Sequence, residues 1–315
     1  MIKSTTKYTR ETMPPATLKQ VCDTLYTLRK RRNMYQKSRV AMHNRTLMQV
    51  ATVNGYTSGM EEKDRKKAMK EAARVWKAVV AGEETHPLDG LILIQDVAVR
   101  GISKYEGQLA RAMAKELGKV SWVVNWVEHM YRKGISLEGL ALIIGETGDL
   151  YNYPNVAKLH RRMCVAPYYC ERLDRTHMGC TWRRLKLLTK SEWAEYGYSP
   201  RRRSIMYMAA TNMLKQNFED NENEVNGYYR RIYLDIKEKK TQQWQEDTKP
   251  DGKNGHAHNH AMLIVGRQLL TDCWAHWTGS KFIPWKQRKS IIEKINRERA
   301  EEDQVVRPAD MLAIP

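Results

Sequence analysis

PPATLKQVCDTLYTLRKRRNMYQKSRVAMHNRTLMQVATVNGYTSG, residues 14–59, decides how this chain folds. Pro14-Pro15 is a natural helix start, and Leu18, Val21, Leu25 and Leu28 recur at steps of three and four, with Tyr35 and Met42 continuing the stripe. The spacing predicts one long amphipathic helix, ended by the breaker-rich NGYTSG at residues 54–59. Beyond it Met69, Ala72, Trp76 and Val79 repeat the helical step, so the simplest packing is an antiparallel hairpin or coiled-coil stalk over residues 1–81. The seam Leu18, Val21, Leu25, Leu28 is expected to meet the second helix and a second copy of the chain, giving a homodimer through the stalk. Between residues 29 and 45 the helix carries Arg29, Lys30, Arg31, Arg32, Lys37, Arg39 and Arg45 and no acid. Such an unbalanced face is expected to lie along a phosphate backbone.

The breaker-rich, acidic GEETHPLDG at residues 82–90 marks the expected end of the stalk. A helix-hairpin-helix region then fills residues 82–150. The apolar run at Leu91 fits a buried helix or a single strand, and Ser103 with Glu106 reads as a capping box opening a helix that closes at Gly118. Ser121 opens SWVVNWVEHMYRK, and GISLEG at residues 134–139 connects it to LALIIGETGD. A basic helical domain is expected over residues 151–278, with helix starts at Pro154, at Thr189 with Glu192, and at Ser199-Pro200, and a last helix from about 256 to 277. Residues 279–315 read as a charged tail with a short helix around Ile291. Alternating strand patterns are scarce, so the fold class is mostly α: a helical stalk followed by a multi-helix body.

Composition narrows the function. The 315 residues hold 54 Lys and Arg against 36 Asp and Glu, a formal charge of +18. Self-repulsion on that scale points to a polyanion as partner: DNA first, structured RNA second. Cys22, Cys164, Cys170, Cys180 and Cys273 are odd in number and irregularly spaced, which argues against a disulfide framework and for a reducing, cytoplasmic setting. No apolar run approaches the roughly 20 residues of a membrane span, so no membrane partner is expected.

Four groups of residues are candidates for chemistry. Gly134 and Ser136 could present backbone N–H groups and a helix start to a phosphate, with a plain αα-hairpin as the alternative. Residues 158–203 hold twelve Lys or Arg, among them Arg161, Arg162, Arg183, Arg184, Arg201, Arg202 and Arg203, against four acids, interleaved with Tyr168, Tyr169, Trp182 and Trp193. That mixture suits phosphates neutralised beside stacked rings. His256, His258 and His260 alternate, but on a helix such steps diverge, and Cys164, Cys170, His177 and Cys180 lack zinc-knuckle spacing. No phosphate-cradling loop or metalloprotease motif occurs, so neither a cofactor nor a metal is expected.

Several of these stretches resemble the bridge-RNA-guided insertion-sequence transposases. TLRKRRNMYQKSRVAMHNRTLMQV, residues 27–50, is similar to that family's linker helix, and GISLEGLALIIGETGDLYNYPNVAKLHRRMCVAPY, residues 134–168, to the start of its C-terminal transposase domain. GYSPRRRSIMYMAATNMLKQN, residues 197–217, resembles its Arg-rich helix, and YYRRIYLDIKEKK with HAHNHAMLIVGRQLLTDCWAHW its closing helices. Members open with a RuvC-like nuclease domain bearing an Asp-Glu-Asp-Asp metal site, whereas here the linker-like helix comes first. Members also carry a serine nucleophile after the apolar-Pro turn, here Val165-Ala166-Pro167. Between Tyr168 and Lys190 this chain has no serine, only Thr176, Thr181, Thr189, Cys170 and Cys180. The resemblance therefore implies a nucleic-acid-binding protein of a mobile genetic element without catalysis of its own. The alternatives are an active recombinase whose nuclease half comes from another chain, and a structural coiled-coil protein.

Overall fold

A computed structural model describes residues 12–131, 134–170, 175–177, 189, 191–192, 197–215, 228–247 and 255–280. The fold among these residues is mostly α. In chain order come α1 Pro15–Val53, α2 Glu62–Ala81, α3 Asp89–Leu117, α4 Ser121–Tyr131, α5 Leu137–Thr147, a 3₁₀ turn Leu150–Asn152, α6 Val156–Arg162, α7 Pro200–Lys215, α8 Tyr228–Asp247 and α9 Gly255–Thr278. Between α6 and α7, β1 Tyr168–Cys170 pairs antiparallel with β2 Arg175–His177, Tyr169 opposite Thr176.

The chain divides into two units. Residues 1–124 and 136–149 form the first, and residues 125–135 and 150–315 the second. The expected boundary at residues 82–90 falls inside the first unit, so residues 1–81 are not a separate stalk. The reason lies in what α1 packs against: α3 and α5 as well as α2. Leu18, Val21 and Leu25 are buried in that packing, so the seam expected to face a second protomer is used inside the chain. Leu47, Val50 and Ala51 close a separate apolar cluster with Ala72, Val75, Trp76 and Val79 of α2 and Ile92 of α3. Tyr35 meets Tyr105 edge-on, centroids 4.7 Å apart. As α1 advances its α3 partners recede, from Tyr105 to Ile92, so the two helices run antiparallel.

The open choice at Leu91 resolves as helix. α3 runs unbroken from Asp89, and Ser103 lies in its interior rather than at a cap. Glu106 does not reach back to Ser103; it accepts from Arg39 Nε at 2.7 Å, a stronger charge-assisted partner than a capping N–H. The break after Leu117 at Gly118, the start at Ser121 and the start at Pro200 stand as expected. α6 begins two residues after Pro154, at Val156, because Asn155 caps it by accepting from Lys158 N at 3.1 Å. Thr189 and Glu192 form a reciprocal capping box: Glu192 Oε2 accepts from Thr189 N at 2.6 Å, and Thr189 Oγ1 from Glu192 N at 3.4 Å. Residues 281–315, with the helix expected around Ile291, lie outside the described residues. No helix among those described is long and apolar enough to cross a membrane.

Candidate nucleic-acid interface

In the second unit, two separate basic segments meet at Cys164. α6 ends in His160, Arg161 and Arg162, and the two arginine cations favour the negative end of the helix dipole. Its last carbonyls are closed by a Schellman turn, in which Cys164 N donates to Arg161 O at 3.1 Å and Val165 N to His160 O at 3.0 Å. That turn needs a left-handed residue, normally glycine; here Cys164 takes it, at φ 60°. What holds Cys164 there is the start of α7. Ser199 N donates to Cys164 Sγ at 3.0 Å, and Arg203 Nη1 to Cys164 O at 3.4 Å. The α6 arginines are thereby set beside Arg201, Arg202 and Arg203 in the first turn of α7.

Tyr153 lies between the two groups. Burial pushes its phenol above the ordinary value, while Arg162, which also hydrogen-bonds it, and Arg202 pull it down. Arg267 of α9 supports the turn from beneath. Its Nε donates to Val165 O at 2.5 Å, and burial with the nearby Arg203 lowers its pKa from the ordinary arginine value. His160 Nε2 lies 3.1 Å from both Arg267 O and Thr271 Oγ1, fixing α6 on α9. Residues 150–170 and 197–215 together carry seven Lys or Arg and no Asp or Glu. Cations gathered on neighbouring helix ends raise one another's energy, and an oxyanion backbone would relieve it.

The first unit carries the α1 cations, and the structure separates them. Arg29 is buried and donates from Nη1 to Glu146 of α5 at 2.8 Å. Arg39 is engaged by Glu106. These two, expected to touch phosphate, instead fasten α1 to α5 and α3. Both acids sit more than sixty residues away in sequence, on helices whose place beside α1 no local pattern announces. Arg32 is half-buried, its Nε enclosed without a hydrogen bond. Lys30, Arg31, Lys37 and Arg45 are exposed, Lys30 lying 4.8 Å over the Tyr26 ring.

At the α4–α5 connection Gly134 adopts φ 100° and is buried. Ser136 caps α5, its Oγ accepting from Gly139 N at 3.1 Å. The group expected to face a phosphate thus has a structural use. Arg183, Arg184 and Cys180 lie outside the described residues. His258 is held on both ring nitrogens by tyrosines, Tyr207 Oη at 3.1 Å and Tyr233 Oη at 2.8 Å, joining α7, α8 and α9. Among the described residues no three His, Cys, Asp or Glu side chains gather as a metal ion requires. Arg267 and Tyr153 were not singled out in the sequence; a lone arginine inside an apolar helix was the one available hint.

Family models, curated proteins and solved structures give no match to this chain.

Proposed function

We propose that this chain binds nucleic acid through the arginine cluster around Cys164, as a non-cleaving relative of the insertion-sequence transposases it resembles. The observation that carries the reading is the joining of the arginine-rich end of α6 to the arginine-rich first turn of α7 at Cys164, held by Ser199, Arg203 and Arg267. Fixed cations spaced along two helix ends suit a sugar-phosphate backbone, which needs charge and position and no base reading. The exposed α1 cations Lys30, Arg31, Lys37 and Arg45 supply a second stretch of the same chemistry.

Binding of duplex DNA, single strands and structured RNA by fluorescence anisotropy across a salt series tests this. Affinity is expected to fall on a log-log slope steeper than about −2, since each neutralised phosphate releases a counterion. Lys158→Gln, Arg161→Gln and Arg162→Gln together are expected to reduce that slope by up to roughly 3 without unfolding the chain. A shallow slope for every ligand, or a slope untouched by the triple change, removes the cluster from any interface. Incubated with duplex DNA and Mg²⁺ or Mn²⁺, the chain is expected to leave the strands uncut; strand transfer would restore the recombinase alternative.

A further inference from the structure

We infer that the outer face of α1 between Thr27 and Arg45 seats in the major groove of duplex DNA, which rests on the nucleic-acid reading above and adds to it the form of the partner. At about 100° per residue Thr27, Met34 and Ala41 fall in one row within an arc of about 40°. Lys30 and Lys37 flank that row on one side and Arg31 and Arg45 on the other, each within about 60° of its nearest member. All of these side chains are exposed, Met34 to 54%. Thr27 Oγ1 donates back to Asp23 O at 3.0 Å, which leaves its methyl to face outward. Lys30 is steadied over the Tyr26 ring, 4.8 Å from its centroid. On the opposite side of the helix Arg29 donates to Glu146 and Arg39 to Glu106, so the outer row is carried on a rod that cannot roll.

Charge and shape together choose the occupant. The four flanking cations make no ion pair among the described residues, and residues 24–60 hold no Asp or Glu. Asp23, exposed one turn before Thr27, closes the stripe at its N-terminal end. From Lys30 to Lys37 the helix rises about 10.5 Å, and from Arg31 to Arg45 about 21 Å. An α-helix with its side chains is about 10–12 Å across, and the major groove of B-form DNA is about 12 Å wide. Seated there, the central row meets base edges, where methyl groups pack on thymine, and the flanking cations reach the phosphates of both strands. Exposed Asn44, beside Ala41, carries the amide that pairs with adenine. The A-form major groove of duplex RNA is too deep and narrow to take the helix, and a single strand offers phosphates to one flank only.

Fluorescence anisotropy of the full chain with a mixed-sequence DNA duplex, the RNA duplex of the same sequence and the single strands tests the proposal. The DNA duplex is expected to bind about tenfold tighter than the RNA duplex. Glucosylated hydroxymethylcytosine, whose sugar fills the major groove, is expected to remove that preference. Ala41→Trp puts neutral bulk into the central row at an exposed position. It is expected to keep the circular dichroism and melting of the parent and to lower affinity for duplex DNA about tenfold, sparing RNA and single strands. Should that substitution alter the fold, the glucosylated duplex decides with the unsubstituted chain. Steep salt dependence with no effect of glucosylation or of Ala41→Trp leaves nucleic-acid binding standing and overturns the groove placement. A loss shared equally by all ligands overturns it too and makes the face a backbone surface. Absent or salt-insensitive binding of every ligand removes the nucleic-acid reading itself, and the groove placement with it.

Discussion

Arg29 and Glu146 are both buried, so each charge depends on the other for what water no longer supplies. Glu146→Gln strands the guanidinium and is expected to cost unit 1 about 3–5 kcal/mol, read as a lowered urea midpoint. Arg29→Met with Glu146→Leu is expected to recover most of that loss, because an apolar pair of similar volume avoids the desolvation. Gly145 lies in the same contact: a Cβ there would stand 3.1 Å from Arg29 Cβ and 3.3 Å from Leu25 O, so Gly145→Ala should cost about 1–3 kcal/mol. Nothing local in the sequence separates Arg29 from exposed Arg31; only the long-range partner does. A second residue-scale effect is pH-dependent. Burial first, then Lys240 and Arg267, lower the His260 pKa from its ordinary 6.5. The unfolded chain therefore takes up the proton more readily, and this share of stability is full above about pH 6.5 and lost as pH falls toward the folded value. His260→Gln is expected to flatten the decline in melting temperature below that pH; an unchanged profile assigns the decline to other groups.

Among the elements, those with closed local signals were legible before any tertiary contact was known. Thr189 with Glu192 and Ser199 with Pro200 each satisfy backbone N–H groups within four residues, and both capping signals hold. Ser103 with Glu106 carries the same pattern and fails, because Arg39 outcompetes an N–H for the carboxylate and the helix is already about four turns old. The apolar seam of α1 was equally legible, but not its occupant, since periodicity records that a face is buried and not by what. Leu25→Asp is accordingly expected to unfold the first unit rather than release a dimer. α1 also divides its cations by reach. Changing Lys30, Arg31, Lys37 and Arg45 to Gln should leave the unfolding free energy from urea titration within about 0.5 kcal/mol of the parent while reducing the salt slope of binding. Arg39→Gln should do the reverse, lowering stability and sparing the slope. If the four exposed changes instead destabilise the chain without altering affinity, α1 has no part in binding.

At the scale of the whole molecule the chain passes between its two units more than once, which no composition break foretold. α4 is a continuous helix, yet residues through 124 group with the first unit and residues 125–135 with the second. Within the second unit Trp126 stacks on His276 of α9, centroids 5.4 Å apart, and Trp274 Nε1 donates to Tyr153 O at 3.2 Å. The best place to cut by sequence, near residue 150, therefore removes a piece of the second unit's own core. Fragment 150–315 by itself is expected to lack a cooperative melt, because the side of α9 around His276 loses Trp126. Adding back residues 125–135 restores the missing surface, so fragment 125–315 is expected to melt cooperatively, and fragments 1–149 and 150–315 made together are expected to copurify. Trp126→Ala in the first of that pair should weaken the association, since the half-buried indole loses its stacking on His276, about 0.5–1.5 kcal/mol, together with the area it covers. A cooperative melt for 150–315 alone, with a helix content matching that of 125–315, would mean that residues 125–135 rest on a unit already complete, and that the boundary belongs at 150 after all.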